Sequence, residues 1–337
     1  MKAVLVTGGA GYIGSHIVRR LLHEGRRVVV LDDLSEGHAL AVGNADLIQA
    51  RFGDRDVLDE LLATGIFGHV VHMAASCEVG ESMENPAKYY ENNIEQSLAL
   101  LEMARKHRIG GIVFSSSAAV YGEPEDVPIT ETHPQRPTNT YGETKLAFER
   151  ALHWYGQAYG LRWVALRYFN AAGAHPETDI GEDHARETHL IPRLLRTVLD
   201  GGPPTPIFGE DYPTSDGTCV RDYVHVVDLA EAHVIAIDAM ERGAVEGEAF
   251  NLGNGGGFSV REVVQAVERV TGTAPPTEGA PRRPGDPAIL VASSEAARKR
   301  LGWVPAYPDL ERIISTAWDW HRTHPRGYDD RGSRDTA

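Results

Sequence analysis

Over the first half of the chain, short apolar runs alternate with stretches that carry an apolar residue at every third or fourth position. Ala3-Val4-Leu5-Val6 reads as a buried strand, and it stops at Thr7-Gly8-Gly9-Ala10-Gly11. Ile13, Ile17, Val18, Leu21 and Leu22 then recur at helical spacing, Gly25 closes that helix, and Val28 to Leu31 forms a second strand. Further buried-strand candidates are Leu47-Ile48, His69 to His72, Gly111 to Phe114 and Trp163 to Leu166, most of them separated by helical stretches. Strands that are apolar on both faces and alternate with helices predict an α/β fold, a Rossmann-type doubly wound parallel sheet covered on both sides.

After about Phe169 the rhythm breaks. Gly201-Gly202-Pro203-Pro204, the polar run from Gly209 to Arg221 and Gly253 to Gly257 are loop-like, and Val260 to Val270 reads as a short amphipathic helix. The reading is a sheet domain over 1–170, a segment near 224–252 that returns to it, and a smaller C-terminal α+β lobe over most of 171–323. From His324 to the end the chain is charged and poor in apolar residues, which predicts a frayed tail.

With 337 residues there is enough chain for a large core and two lobes. A formal net charge of -15 argues against general affinity for nucleic acid or an anionic membrane, so an anionic ligand needs local arginines, lysines or helix N-termini. Cys77 and Cys219 form no disulfide or metal pattern, which suits a reducing cytoplasm. There is no signal-peptide pattern and no apolar run of membrane length.

The candidate chemistry begins at Gly8, Gly11 and Gly14, where a strand turns sharply into a helix. Glycines there permit the tight turn and a close approach of backbone to a pyrophosphate. Asp32 ends the second strand, near the offset of an acid that binds a ribose hydroxyl pair, and it favours NAD over NADP. Asp33 is the neighbouring acid, and Asp54 is either an adenine contact or an ordinary loop acid. Ser115-Ser116-Ser117 ends the strand from Ile112, at the sheet edge where a substrate should lie. At least one of these serines is expected to serve only as a turn cap. Tyr141 and Lys145 stand four apart, on one helix face. A lysine cation beside a phenol is expected to lower its pKa towards neutrality, giving a group that takes and returns an alcohol proton. His184 and His189 sit five apart in a loop-like stretch, and no metal site is expected there.

Thr7-Gly-Gly-Ala-Gly-Tyr-Ile-Gly-Ser-His16, Ser115-Ser-Ser-Ala-Ala-Val-Tyr-Gly122 and Tyr141-Gly-Glu-Thr-Lys145 resemble the extended short-chain dehydrogenase/reductase superfamily. Tyr168 to His175, Asp216 to His225 and Arg282-Arg-Pro-Gly-Asp286 resemble its UDP-sugar 4-epimerases, with the likeness running from about residue 1 to 320. The resemblance implies reversible inversion at C4 of UDP-glucose and UDP-galactose through a transient 4-keto sugar, with hydride lent to a retained NAD. It also implies a homodimer, paired through helices near 86–108 and 141–159. Besides the glycines, Tyr12, Ile13, Asp32, Asp33, Asp54, Arg55, Met73, Ala74, Ala75, Asn92 and Phe169 would line the NAD site, together with Ser117, Tyr141 and Lys145. Ser117 and Tyr141 would handle the sugar hydroxyl. Asn170, His189, Leu190, Phe208, Arg221, Arg283 and Asp286 would hold the UDP part, and Leu290 would gate the sugar pocket.

Some positions depart from that pattern: Cys77 stands where a lysine is frequent, His189 where an asparagine is common, and Asp33 in place of a frequent asparagine. Ala118-Ala119 occupy the place of the Asp-Glu pair of the related dehydratases, which argues against that chemistry. An epimerase for N-acetylated sugars or uronates, and a non-catalytic NAD-binding regulator, are the other readings.

Overall fold

The computed structural model describes residues 2–283 and 286–329. Seven strands form one parallel sheet: β1 (Ala3–Thr7), β2 (Val28–Asp32), β3 (Asp46–Gln49), β4 (Phe67–His72), β5 (Gly111–Ser117), β6 (Arg162–Tyr168) and, from the return segment, a strand over Gly247–Leu252. Their order is β3-β2-β1-β4-β5-β6 followed by that return strand. The order reverses direction between β1 and β4, which opens a crevice at the carboxyl edge of the sheet.

Alternation along each strand splits the core into two layers. Val4, Val6, Val28, Val30, Val71, Val113 and Val164 face one way. They pack against helices α1 (Tyr12–His23) and, from the return segment, Val226–Glu241. Leu5, Val29, Leu31, Val70, Ile112, Phe114 and Ala165 face the other way. That layer meets α2 (Arg55–Ala63), a helix that starts as α3 (Val79–Glu84) and α4 (Pro86–Tyr89) and continues through a π-helical turn at Tyr90–Glu95 into α5 (Gln96–Lys106), and α6 (Thr140–Tyr159).

The smaller lobe follows β7 (Asn170–Ala172). It holds α7 (Leu190–Asp200), β8 (Thr205–Phe208), β9 (Val220–Arg221) and β10 (Tyr223–His225). The helix Val226–Glu241 is α8 and the strand Gly247–Leu252 is β11. After them come β12 (Phe258–Ser259), α9 (Val260–Thr271), β13 (Thr277–Ala280), β14 (Ile289–Leu290) and α10 (Leu310–Thr323). Amphipathic α7, α9 and α10 share a core of Ile191, Leu194, Leu195, Val263, Val267, Ile313 and Ile314.

The expected strands fall inside observed ones, with ends extended by one to three residues. The tail expected from His324 does not begin there. The His324 ring stacks on Trp320 at 3.8 Å, and Tyr328 is buried with Trp320, Ala41 and Ala174. Residues 330–337 of that tail lie outside the described residues.

Candidate active site

The residues singled out for a dinucleotide gather at the carboxyl edge of the sheet. Gly8 sits at φ 70°, and a Cβ on Gly14 would lie 2.1 Å from the Gly8 carbonyl oxygen. Loop and helix therefore approach more closely than a side chain permits, forming a backbone cradle. Gly11 is the N-cap of α1 and makes no side-chain cap bond, and the first turn carries no acid. Its unsatisfied N–H groups and positive dipole end suit a pyrophosphate. Below the loop, Asp32 accepts from Ala10 N and Leu34 N, both at 2.9 Å. Met73, Ala74 and Ala75 follow β4, and the Met73 and Ala74 N–H groups bond the Thr7 carbonyl. These features fit NAD.

Other expected cofactor residues are placed with more local duties. Tyr12 donates its hydroxyl to Gly173 O at 2.5 Å, tying α1 to the end of β7, while Ile13 packs on the sheet. Asp33 accepts from Ser35 N and Oγ. Asp54 is exposed and caps α2, accepting from Asp56 N at 3.0 Å and Val57 N at 3.2 Å, with Arg55 next to it. Asn92 lies in the π turn and donates to Ser76 Oγ at 3.2 Å. An extra residue in a helical turn re-aims side chains, and that is how Asn92 meets the chain leaving β4.

Helix α6 brings the chemistry to β5. Asn139 caps it through Gly142 N at 2.8 Å, and a Cβ on Gly142 would lie 2.4 Å from Ala119 O. That close approach sets the start of the helix against the short turn Ala118–Val120, next to Ser117. The three serines divide the work. Ser115 bonds the Tyr168 hydroxyl, and Ser116 donates to Glu149. Ser117 is the least buried of the three, accepts from Ala119 N at 3.2 Å and lies on the Tyr141 side of the strand end, where it eases the Tyr141 pKa.

Lys145 is 3% exposed and donates from Nζ to Ser115 O at 2.8 Å. Its Nζ stands 5.0 Å from the Phe114 ring and 5.7 Å from that of Tyr141. Burial pushes Tyr141 well up, with Ser117 acting in the opposite direction, and pushes Lys145 down to about 8. The expectation that Lys145 lowers the Tyr141 pKa towards neutrality is thus corrected for the polypeptide alone: a dry pocket penalises both charges.

The substrate candidates form two groups in the smaller lobe. Arg221 and Asp286 are ion-paired, and Leu290 is in register with Arg221 across β14 and β9. Arg283 lies over the Phe208 ring at 3.9 Å. Leu290 and Phe169 both pack on Val120, Tyr121, Ile129 and Leu146, which adjoin the Ser117 turn and α6. Asn170 N bonds Asp222 O at 3.0 Å, Leu190 opens α7, and His189 is its N-cap residue. His189 turns Nδ1 to Glu182 at 2.7 Å and to Glu187 at 3.3 Å. Cys77 is exposed and unpaired.

One residue escaped the sequence reading. Glu149 continues the Tyr141–Lys145 face by one more turn, a spacing that signals it. It pairs with Arg167 of β6, anchors α6 to β5 through Ser116, and supports the Lys145 charge.

Fold and site define a dehydrogenase-type dinucleotide enzyme with a serine–tyrosine–lysine set. The chain belongs to the NAD dependent epimerase/dehydratase family, whose model matches residues 4–253. It is 52% identical over 326 residues to the UDP-glucose 4-epimerase of Halalkalibacterium halodurans, covering 97% of each chain. It is similar to UDP-glucose 4-epimerase from Brucella ovis in complex with NAD (TM-score 0.92, 46% identity, 95% and 98% of the two chains). It is also similar to the enzyme from Stenotrophomonas maltophila with bound NAD and formylated UDP-arabinopyranose (TM-score 0.93, 38% identity, 97% and 100%).

Proposed function

We infer that the chain is an NAD-dependent epimerase that interconverts UDP-glucose and UDP-galactose at C4. The observation that carries this reading is the gathering of Ser117, Tyr141 and Lys145 beside the glycine cradle, on a full-length fold shared with enzymes of that activity. NAD, when bound, supplies the acceptor that takes and returns the C4 hydride, together with a positively charged nicotinamide ring. Tyr141 takes the proton of the 4-hydroxyl and later gives it back. Ser117 hydrogen-bonds the same hydroxyl and eases the phenolate. Lys145, held by the Ser115 carbonyl and the Phe114 face, keeps a cation within reach of Tyr141. Asp32 disfavours a 2′-phosphate.

In the smaller lobe Arg221 and Arg283 supply guanidinium groups for the diphosphate, and Asn170, His189, Leu190, Phe208 and Asp286 complete that side of the site. Arg221 is preorganised by its pair with Asp286.

The assembly is a homodimer joined through α5 and α6. Leu98, Trp154 and Tyr159 on these helices are exposed, Trp154 by 68%. Large exposed aromatics on adjacent helices are what a partner surface buries. The free Cys77 and Cys219 suit the cytoplasm. No helix among the described residues is long and apolar enough to cross a membrane.

The test is turnover of UDP-galactose by the purified chain, with mass spectrometry of the nucleotide released by acid. Formation of UDP-glucose and release of NAD are expected. No turnover, or release of NADP, overturns the reading.

A further inference from the structure

Between β7 and α7 the chain makes an irregular passage in which Glu182, His184, Glu187 and His189 converge. One ligand-type atom from each, a ring nitrogen or a carboxylate oxygen, lies within 4.8 Å of all the others. The spacing of 2, 3 and 2 residues matches neither helix nor strand, so only the fold brings them together. Asp183 is committed elsewhere, to Arg196, His38 and the Tyr328 N–H.

The separations have a definite meaning. His184 Nδ1 lies 3.4 Å from Glu182 Oε1 and 3.5 Å from Glu187 Oε2. His189 Nδ1 lies 3.3 Å from Glu187 Oε1 and 2.7 Å from Glu182 Oε1. Four ligands bound tetrahedrally at ~2.0–2.1 Å are separated from one another by ~3.4 Å. With either Glu187 oxygen taken as its donor, two of the three distances match that edge, and the third, at 2.7 Å, opens on binding.

A second observation points the same way. The Glu182 and Glu187 side chains are each 5% exposed, and Glu182 Oε1 and Glu187 Oε2 are buried with no hydrogen-bond partner. Ring nitrogens stand at contact distance but out of line for a hydrogen bond. Groups aimed at a common centre, rather than at each other, have this geometry. The outer shell is also prepared: Glu187 Oε1 accepts from His189 N at 2.8 Å, and the Glu182 carbonyl accepts from Trp320 Nε1 at 3.2 Å.

We propose that Glu182, His184, Glu187 and His189 form a binding site for one divalent transition metal ion, with zinc as the best match. Two imidazoles and two carboxylates suit zinc in kind and number, and two carboxylates balance its charge. The cluster contains none of Ser117, Tyr141 and Lys145, and it shares only His189 with the proposed substrate side. It lies where three elements meet. The His184 ring is edge-on to Tyr12 of α1 at 6.4 Å, His189 caps α7, and Thr188 Oγ1 donates to Glu78 at 3.0 Å. A bound ion would pin the passage from β7 to α7 against the glycine-loop helix.

The test uses the tag-free full chain, dialysed against chelator and titrated calorimetrically with zinc chloride, with magnesium chloride as the hard-ion control. One saturable zinc site per chain is expected, with no comparable magnesium site. Glu187→Gln and His184→Asn should each weaken zinc by at least ~10–100-fold, the loss that even outer-shell changes cause. His153→Asn, an exposed histidine on α6, should leave it unchanged. The visible spectrum of the cobalt-loaded wild-type chain gives a readout that survives a misfolded variant, since a four-coordinate site absorbs far more strongly than an octahedral one. Absence of a saturable zinc site, zinc binding untouched in both ligand variants, or an octahedral cobalt spectrum overturns the proposal and leaves the cluster as an ion-pair network.

Discussion

Arg167→Met tests how α6 is held to the sheet. The Arg167 and Glu149 side chains are 4% and 5% exposed, and Arg167 Nε donates to Glu149 Oε1 at 2.9 Å. At that distance and an effective dielectric of ~20, the attraction is ~332/(20 × 2.9), or about 6 kcal/mol, set against a desolvation cost of several kcal/mol per ion. The intact pair therefore adds little net stability, but removing one partner strands a buried charge at ~3–5 kcal/mol. Unfolding entropy of ~2.1 cal/mol/K per residue over 337 residues is ~0.7 kcal/mol/K, so the melting temperature should fall by ~4–7 °C. Glu149→Leu alone should cost a similar amount. The double variant should cost only ~1–3 kcal/mol, because it leaves no lone charge and strands only Ser116, while the Tyr121 hydroxyl loses Arg167 but still donates to Asn251 Oδ1 at 2.6 Å. Calorimetric melting of the four proteins closes the cycle. Single variants within ~1 kcal/mol of wild type, or a double variant equal to their sum, would refute the reasoning.

Tyr141→Phe should lower epimerisation by ~10²–10⁴-fold while NAD stays bound, and near-normal turnover in a folded variant would remove Tyr141 as the general base. Leu290, half-buried beside the Tyr121 cluster, should set sugar choice by ~1–3 kcal/mol. The chain should then act mainly on UDP-glucose and UDP-galactose, with weak activity on the N-acetylated forms. Leu290→Tyr should abolish that weak activity and Leu290→Ser raise it, and unchanged kcat/KM ratios in both would show that Leu290 only packs. Burial lowers His72 and His225 to about 3 and His233 to about 4. The folded chain keeps them neutral while the unfolded chain protonates them below ~6.5, so stability should fall as pH drops from there, by up to ~1.4 kcal/mol per pH unit for each. His233→Leu should flatten that fall in urea midpoints measured from pH 7.5 to 5, and an identical slope would count against it.

The parts of the fold that are local were legible in the sequence. Val4 and Leu5 announce a strand buried on both faces, and Thr7 to Gly14 a turn that only glycine permits. The return of β11 to the edge of the sheet could be anticipated only coarsely, since its pairing with β6 joins residues about 84 apart, as in Gly247 with Trp163. The pair Arg221–Asp286 joins groups 65 apart, so each read alone as a cation or an anion for the substrate side.

What could not be read was the sign of an environment. Tyr141 and Lys145 share a helix face whatever surrounds them, and spacing alone suggests a cation lowering a phenol. The outcome turns on the buried surroundings: Phe114 and Ser115 of β5 lie against Lys145, and Tyr168 of β6 bonds Ser115. Burial acts on the phenolate and the ammonium alike, so the lysine loses much of its reach just where its charge is wanted. Ser117 then matters more than its place in a serine run suggests, because it works against burial to hold the Tyr141 pKa down. Glu149, a turn further along the same face, is the carboxylate that, after Cys77, supports the Lys145 charge. The Tyr141–Lys145–Glu149 face of α6 is thus a three-residue ladder, and its last rung is fixed by Arg167 of β6.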